Sequence, residues 1–357
     1  MESEQKNMDN LAPTFSKTDF SFHGKAGEFF GIWIVNVLLS IVTLGIYSAW
    51  AKVRTYRYIY GNTELDSHRF DYLATGGQIL KGRLIAVAIF AIYWVISAVS
   101  PTISILFGLA FLFAMPFLIC SSLRFNMRVT SYRNVRFDFT GRYGQAAINF
   151  ILLPVLSVFT LYLLLPWVLK RIDHFIVSNT KYGNKPLQTN LSTSTYYMAS
   201  IVTMLIAIGL GIVVAITFGI VGLNAEQMAE QTALSGVMTF LIIALYVVFF
   251  TFIQAYYKAT IRNHIFASSK IDNLVKFDST FSFASLAFLQ LTNLLALICT
   301  FGLAYPWTRI RSVNYQVNRT DIHVAENRTK VLDNLGANTS AVSDEVANVF
   351  DVDVALT

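Results

Sequence analysis

The sequence predicts an all-α polytopic membrane protein with about seven apolar helices in a 3 + 3 + 1 repeat arrangement, for three reasons. The chain has 357 residues, of which 55% are hydrophobic and 13% charged, whereas an ordinary soluble domain carries about a quarter charged residues. Its apolar segments are close to the roughly 20 residues that a helix needs to cross a bilayer. Finally, one residue pattern occurs three times at identical spacing.

The repeated pattern is Phe-x22-Thr-x6-Trp-x3-Arg-x8-Thr. Each copy is mostly apolar and brings an indole close to several cations, which is typical of a helix that leaves a bilayer at the headgroups. We therefore interpret the Trp and Arg of each copy as candidate interface anchors or headgroup contacts. The members of the three copies are Phe20, Thr43, Trp50, Arg54 and Thr63; Phe137, Thr160, Trp167, Arg171 and Thr180; and Phe277, Thr300, Trp307, Arg311 and Thr320.

The copies divide the chain into units. Residues 20–125 and 126–263 are predicted to be repeat units with three apolar segments each, and residues 264–320 a partial unit with one. Residues 1–19 are a polar tail that we expect to be disordered, and residues 321–357 form an acidic tail in which Ser343 begins a possible short helix. The polar junctions favour small β-hairpins, for example around Asp66 and Ser67.

The distribution of cations leaves two topologies open. Two apolar hairpins have tips without Lys or Arg, so these tips should face away from the cytoplasm. If the repeat segments cross the bilayer, two three-helix units of opposite orientation result, as in many transporters. The junctions at residues 170–195 and 258–276 then place eight cations outside, against the charge rule. If the segments dip in and return, every basic junction is cytoplasmic. The segment length of about 22 to 25 residues favours crossing.

Polar side chains inside the apolar segments are few. No ionisable side chain lies well inside one, which argues against a proton relay or an ion-coupled pump. Asn36, Asn293 and Gln290 do enter these segments, where they either make hydrogen bonds between helices or line a polar path. We retain these three residues as the candidate polar path.

Nothing in the sequence predicts catalysis. The five histidines are scattered, and there is no metalloprotease, nucleophile-elbow or phosphate-loop motif, so no catalytic, cofactor-binding or metal site is predicted. Cys120 and Cys299 lie in or beside apolar runs and are predicted to be membrane-buried thiols, and the sequence does not show whether they are close enough to form a disulfide. The net charge of +6 sits in loops beside apolar segments, where cations meet anionic lipid, and this argues against nucleic-acid binding.

Several local motifs stand out along the chain, namely Phe-x-Phe-x-Gly (Phe20, Phe22, Gly24 and Phe137, Phe139, Gly141), the run Thr43–Trp50, Asn62-Thr63 and Leu80-Lys81-Gly82. With these motifs the chain resembles the YjgN-like family of bacterial inner-membrane proteins, over about residues 20–320. The third copy departs from the pattern, with Phe281 in place of the glycine and Arg319 in place of the asparagine. The resemblance implies a multi-pass protein of the bacterial inner membrane with a repeat architecture, and it implies no catalytic or binding residue.

Two functions remain open at this point. The first is a channel or facilitator for a small solute or a lipid, which the possible inverted repeat favours. The alternative is a structural or interaction protein that binds anionic lipid, or a protein partner, through its basic cytoplasmic junctions. Membrane lipid is the expected partner in both cases, and an enzyme is not expected.

Overall fold

The computed structural model describes residues 15–223, 232–272 and 274–325. The possible helix beginning at Ser343 and one of the two hairpin tips lie outside these residues. The helices are α1 (Ala26–Val42), α2 (Ser48–Gly61), α3 (Gly76–Val99), α4 (Pro101–Arg128), α5 (Tyr143–Phe159, with a π-helical turn at Ile148–Leu152), α6 (Leu165–Ser178), α7 (Thr193–Leu223), α8 (Thr232–Ala267), α9 (Phe283–Cys299) and α10 (Tyr305–Val317). The strands are β1 (Phe15–Phe22), β2 (Thr63–Leu65), β3 (His68–Tyr72), β4 (Thr130–Tyr132), β5 (Val135–Phe139), β6 (Thr180–Tyr182), β7 (Lys185–Thr189), β8 (Ser269–Ile271), β9 (Val275–Ser279) and β10 (Thr320–Ala325).

The ten strands form one closed antiparallel barrel, in the order β1-β10-β9-β8-β7-β6-β5-β4-β3-β2. Strand β1 pairs with β10 on one side and with β2 on the other, so the first and last described strands close the ring. The all-α prediction is therefore wrong. The expected hairpins are present, but they are joined edge to edge instead of standing alone, and residues 15–19 of the predicted tail belong to β1.

The register of the paired strands determines which side chains point into the barrel. Five cross-strand pairs place one aromatic or aliphatic side chain opposite another at the same level. Because successive side chains of a strand point to opposite faces, the intervening charged residues lie outside the barrel. The five pairs are Phe20 with Leu65, Phe70 with Tyr132, Phe137 with Tyr182, Leu187 with Ile271, and Phe277 with Ile322.

Each hairpin of the barrel is flanked by two helices that pack against each other. Helices α2 and α3 flank β2–β3, and the same arrangement follows for α4 with α5, α6 with α7 and α8 with α9. The fifth unit is assembled from both ends of the described chain, because α10 leads into β10 and packs against α1, which follows β1. Helices that are consecutive along the chain also pack together, so the ten helices close into a ring above the barrel.

A hydroxyl side chain marks each point where a helix passes into the barrel. It is the first residue of every even-numbered strand, and it donates a hydrogen bond to the carbonyl four residues earlier, which satisfies part of the helix C-terminus. The residues are Thr63 (2.9 Å), Thr130 (3.0 Å), Thr180 (2.9 Å), Ser269 (2.6 Å) and Thr320 (2.7 Å). The last Thr of the repeated pattern is thus a helix cap. Thr130 and Ser269, which are not part of the three copies, have the same role.

The helices fall into two length classes, which corrects the prediction of seven apolar helices in a 3 + 3 + 1 arrangement. Within the described residues, four helices are long and apolar enough to cross a membrane, namely α3, α4, α7 and α8. The repeat segments instead fold into short helical hairpins, α1–α2, α5–α6 and α9–α10. A helix of 17 residues such as α1 is about 25 Å long at 1.5 Å per residue, short of a hydrocarbon core of about 30 Å.

The repeat segments return to the side from which they start, so the favoured prediction of full crossing is wrong. The reason is that the strands before and after each segment belong to the same small barrel. Every basic junction consequently lies on one side of the helices. This is the arrangement that the excess of cations in cytoplasmic loops requires.

The tips of the short hairpins are suited to lipid. They expose apolar side chains such as Leu44 (94% exposed) and Phe301 (97% exposed). Unsatisfied backbone groups are costly in hydrocarbon, and here the turn satisfies its own N–H groups. In the first tip, Gly45 N–H donates to the Ser40 carbonyl at 2.7 Å. The threonine of each copy accepts the N–H four residues ahead: Thr43 from Tyr47 (2.9 Å), Thr160 from Leu164 (3.3 Å) and Thr300 from Ala304 (2.9 Å).

The glycine of the Phe-x-Phe-x-Gly motif is explained by a ring that covers it. A Cβ on Gly141 would lie 2.5 Å from ring atoms of Phe139 and 2.8 Å from Phe175. In the third copy a serine replaces the second phenylalanine, and Phe281 replaces the glycine. The Phe281 ring packs against Tyr315, with centroids 5.1 Å apart. The aromatic ring has therefore moved by two residues, so the departure of the third copy from the motif is compensated.

A similar close approach gives a testable prediction at the start of α3. A Cβ on Gly76 would lie 2.5 Å from the Cγ and Nε1 atoms of Trp50, whereas one on Gly77 would meet nothing within 4 Å. We expect Gly76→Ala to lower the free energy of unfolding by about 1–3 kcal/mol through overpacking. Gly77→Ala should be neutral, or stabilising by up to about 1 kcal/mol, because alanine favours helix. Thermal unfolding in detergent measures both, and equal effects would contradict the packing of Trp50 on Gly76.

Candidate functional site

The interior of the barrel contains a cavity of about 200 Å³. Its wall combines nine of the ten side chains of the five interior pairs, all except Leu187, with apolar residues nearer the turns. Leu274, in the β8–β9 turn, and Ala325, at the end of β10, belong to this wall, so the cavity reaches the end of the barrel that faces away from the helices. The lining residues are Phe20, Leu65, Phe70, Tyr132, Phe137, Tyr182, Ile271, Leu274, Val275, Phe277, Ile322, Val324 and Ala325.

The two tyrosine hydroxyls near the cavity are used by the barrel itself. Tyr132 donates to the Leu65 carbonyl at 2.8 Å, and Tyr182 donates to the Tyr132 carbonyl at 3.0 Å. Burial raises the pKa of Tyr182 well above its ordinary value, so this side chain stays neutral. The cavity therefore offers hydrocarbon and ring faces to a ligand.

The outer face of the barrel is charged, and its ion pairs link neighbouring strands. Lys17 contacts Asp321 at 3.2 Å across β1 and β10, and Lys185 contacts Asp272 at 2.8 Å beside β7 and β8. These pairs are partly exposed, so each adds little stability. Their effect is to separate a polar exterior from an apolar interior.

The candidate interface residues lie between the lipid-facing tips and the barrel. Trp50 and Trp307 follow the first and third tips and are 40% and 46% exposed. Two of the three Trp–Arg pairs are in contact: the guanidinium of Arg171 lies 5.7 Å from the Trp167 ring centroid, and that of Arg311 lies 5.1 Å from the Trp307 centroid. Arg54 is exposed.

The residues of the candidate polar path lie in separate contacts between helices. Asn36 is buried and donates to the Ala51 carbonyl at 3.4 Å, which joins α1 to α2. Asn293 makes the equivalent contact with the Thr308 carbonyl at 3.5 Å and donates to Ser312 Oγ at 3.0 Å, which joins α9 to α10. Gln290 is half-buried on α9. The two asparagines are thus equivalent residues that each hold one short hairpin together, and they are not brought to a common passage.

A half-buried carboxylate joins two neighbouring helices. Asp173 on α6 accepts a hydrogen bond from the Tyr196 hydroxyl at 2.7 Å, and burial raises the pKa of Asp173. The pKa of the adjacent His174 is lowered, first by burial and then by the nearby Lys170 and Arg171. These groups join α6 to α7 at the basic end of the helices, where they hold two neighbouring units together.

The possible metal-ligating and thiol side chains are dispersed in residues 15–223, 232–272 and 274–325. No group of three or more His, Cys, Asp or Glu side chains is placed there to hold a metal ion. Cys120 is a buried free thiol and Cys299 an exposed free thiol near a hairpin tip.

The junctions carry a weak sequence signal for the side chains that line the cavity. Each junction Thr or Ser is followed two residues later by a large apolar residue, as in Thr180 and Tyr182. This spacing of two places both side chains on one face of a strand. The signal is short, because the even-numbered strands β2, β4, β6 and β8 have only three residues each.

The fold and these sites define a polytopic membrane protein that carries a closed β-barrel on one face. The chain belongs to the family described as "Bacterial protein of unknown function (DUF898)", whose model matches residues 17–349. It is 26% identical over 349 residues to "Inner membrane protein YjgN" of Escherichia coli (strain K12), covering 84% of this chain and 87% of the relative. It is 38% identical over 149 residues to the Salmonella typhimurium protein of the same name, covering 40% of this chain and 37% of the relative.

No solved structure matches the chain. The family relationship confirms the resemblance seen in the sequence motifs and places the protein in the inner membrane. The four long apolar helices agree with that location.

Proposed function

We propose that the protein is a facilitator that binds lipid, and that its barrel takes up the hydrocarbon part of the ligand. The observation that carries this proposal is the hydrocarbon-lined cavity of about 200 Å³ inside the closed barrel, beside a membrane. Small-molecule pockets are typically mostly apolar with a few polar groups that orient the ligand. Here the lining favours an acyl chain, and the transport of a polar solute is disfavoured because Tyr132 and Tyr182 already use their hydroxyls.

The ligand in this proposal is a fatty acyl group, either free or as part of a phospholipid. Transferring its methylene groups from water into the cavity is favourable by about 0.8 kcal/mol each. The proposal includes no catalytic step, and it requires neither nucleic acid nor a cofactor.

Photo-crosslinking tests the proposal. A fatty acid with a diazirine near its methyl end is added to inner-membrane vesicles that contain the full chain, and crosslinked peptides are mapped. We expect crosslinks on β9 and β10 in addition to those on the lipid-facing helices α3 and α4. Val324→Phe should fill the cavity and reduce the crosslinks on the strands about tenfold, which corresponds to roughly 1.4 kcal/mol.

The control for this experiment is His323→Phe, which adds a ring on the same strand but on its outer face. It should leave the strand crosslinks unchanged, and the crosslinks on α3 and α4 serve as an internal reference in every sample. Crosslinks confined to the helices would contradict the proposal.

A second candidate function is favoured by a separate observation. All basic junctions lie on one side of the helices because they enter one barrel. A structural protein that presents this face to anionic lipid or to a protein partner would also use that arrangement. Crosslinks confined to the helices, together with a co-purifying protein partner, would favour this function over the first.

A further inference from the structure

The three Trp–Arg copies differ in what surrounds the arginine. In the third copy, Arg311 Nη1 donates to Thr292 Oγ1 at 2.6 Å and to Asn293 Oδ1 at 3.2 Å. The guanidinium also lies over the Trp307 ring, 5.1 Å from its centroid. Two hydrogen bonds and one ring contact hold this side chain in a single orientation.

Each of the other copies lacks at least one of the two orienting groups. At the repeat spacing, Thr292 corresponds to Val35 in the first copy and to Leu152 in the second. Asn293 corresponds to Asn36 and to Leu153. The first copy therefore lacks the hydroxyl, and the second lacks both polar groups. In agreement, both Arg54 and Arg171 are exposed, whereas Arg311 is half-buried.

The fixed guanidinium retains donors for a ligand. Arginine has five N–H donors in a planar fork, and the two internal bonds use only Nη1. Within the part of the chain that the structure describes, Nε and Nη2 of Arg311 make no hydrogen bond, and no carboxylate forms an ion pair with this residue. A half-buried cation without a carboxylate is suited to an anionic oxygen supplied by a ligand, and the fork geometry matches phosphate.

The position of Arg311 indicates where the phosphate comes from. Along the chain the order is the apolar tip with Phe301, then Trp307, then Arg311, so the guanidinium lies on the barrel side of an indole that is 46% exposed. Indoles concentrate at the headgroup level of a bilayer, with cations beyond them. A phosphate bound at Arg311 would therefore keep its attached acyl chains beside the tip.

We propose that the third copy is a specific binding site for the phosphate of an anionic phospholipid, with Arg311 as its ligand-binding residue, and that the first two copies are unspecific interface anchors. Thr292 and Asn293 are positioning residues that act through the guanidinium. The site is separate from the barrel cavity, and either one can exist without the other.

Native mass spectrometry of the full chain in detergent tests this site. The protein is titrated with phosphatidylglycerol, with phosphatidylcholine and with inorganic phosphate, each in a separate series. The wild type should bind its first phosphatidylglycerol about tenfold more tightly than phosphatidylcholine, as expected for charge-assisted hydrogen bonds. Arg311→Gln should abolish that preference, and Thr292→Val should reduce it about threefold because one orienting bond is lost.

Matched controls use the other copies. Arg54→Gln and Arg171→Gln remove the same charge at equivalent positions and should each leave the preference within about twofold of the wild type. If Arg311→Gln does not fold, as judged by thermal unfolding, Thr292→Val and Arg311→Lys decide the matter, because lysine keeps the charge and loses the fork geometry. The proposal is overturned if all three Arg→Gln variants lose the preference equally, or if Thr292→Val and Arg311→Lys both retain it. Equal competition by millimolar inorganic phosphate would assign the site to a soluble anion instead.

Discussion

A single cysteine introduced at Asn184, in the β6–β7 turn, is expected to be protected from a membrane-impermeant thiol reagent in intact cells. The physical reason is that this turn and the β2–β3 turn at Ser67 belong to one closed barrel and so lie on the same side of the membrane. The cations of the junctions make that side the cytoplasm. We therefore expect an all-or-none difference between intact and permeabilised cells at both positions.

The experiment uses a Cys120→Ser, Cys299→Ser background. A cysteine at Thr102, in the first turn of α4 and next to its connection with α3, is the external control and should be labelled in intact cells. A cysteine at Ser67 is the internal control. Labelling at Asn184 together with protection at Ser67 would mean that the second repeat segment crosses the bilayer, and it would contradict the closed barrel.

A charge inside the barrel is expected to prevent stable folding. Ile322 on β10 is 6% exposed and pairs with Phe277 across the cavity wall. Ile322→Asp removes a buried aliphatic side chain and buries a carboxylate without a partner, at a combined cost of about 4 kcal/mol or more. We expect the variant to lose most of the monodisperse protein in size-exclusion chromatography after detergent extraction.

The neighbouring residue provides the control for that variant. His323→Asp places the same carboxylate on the outer face of the same strand and should give nearly wild-type yield and thermal unfolding. Ile322→Leu, which changes shape but not polarity, should cost less than about 1.5 kcal/mol. A wild-type unfolding temperature for Ile322→Asp would indicate that the interior is wet and would remove the basis for an acyl-binding cavity.

The sequence predicts the membrane class and the repeated pattern, but it does not predict that the strands close into a barrel. A membrane protein with a thrice-repeated Trp–Arg pattern could be predicted because hydrophobicity and spacing are local properties. The barrel could not, because a strand of three residues such as Thr63–Leu65 shows barely one period of alternation. Such a strand is stabilised by pairing with strands that lie far away in the chain, and the local sequence does not identify these partners.

The crossing of the repeat segments was misjudged for a different reason. The apolar run from Phe29 to Trp50 has the length of one span, but it contains a turn. Leu44 and Gly45 have φ angles of 49° and 90°, which reverse the chain. In the second copy the corresponding residues are Leu161 and Tyr162, also with positive φ. Without a glycine in every copy, the turn is hidden inside an apolar segment.

The candidate sites were foreseen in part. The Trp–Arg pairs were recognised from their order along the chain, but the difference between Arg311 and its two equivalents depends on residues 18 and 19 positions away. Repeated spacing identifies what the copies have in common. The asymmetry that distinguishes one of them requires the packing of α9 against α10.

The pairing of β1 with β10 also has a consequence for biosynthesis. These two strands are joined through residue pairs such as Phe15 with Ala325, which are about as distant in the chain as two described residues can be. During translation the outer edge of β1 stays open until the last described strand emerges from the ribosome, and an unpaired edge is a template for wrong association. The nascent protein therefore spends nearly its whole synthesis as an incomplete ring, so quality control has one late event, ring closure, by which to separate finished molecules from failed ones.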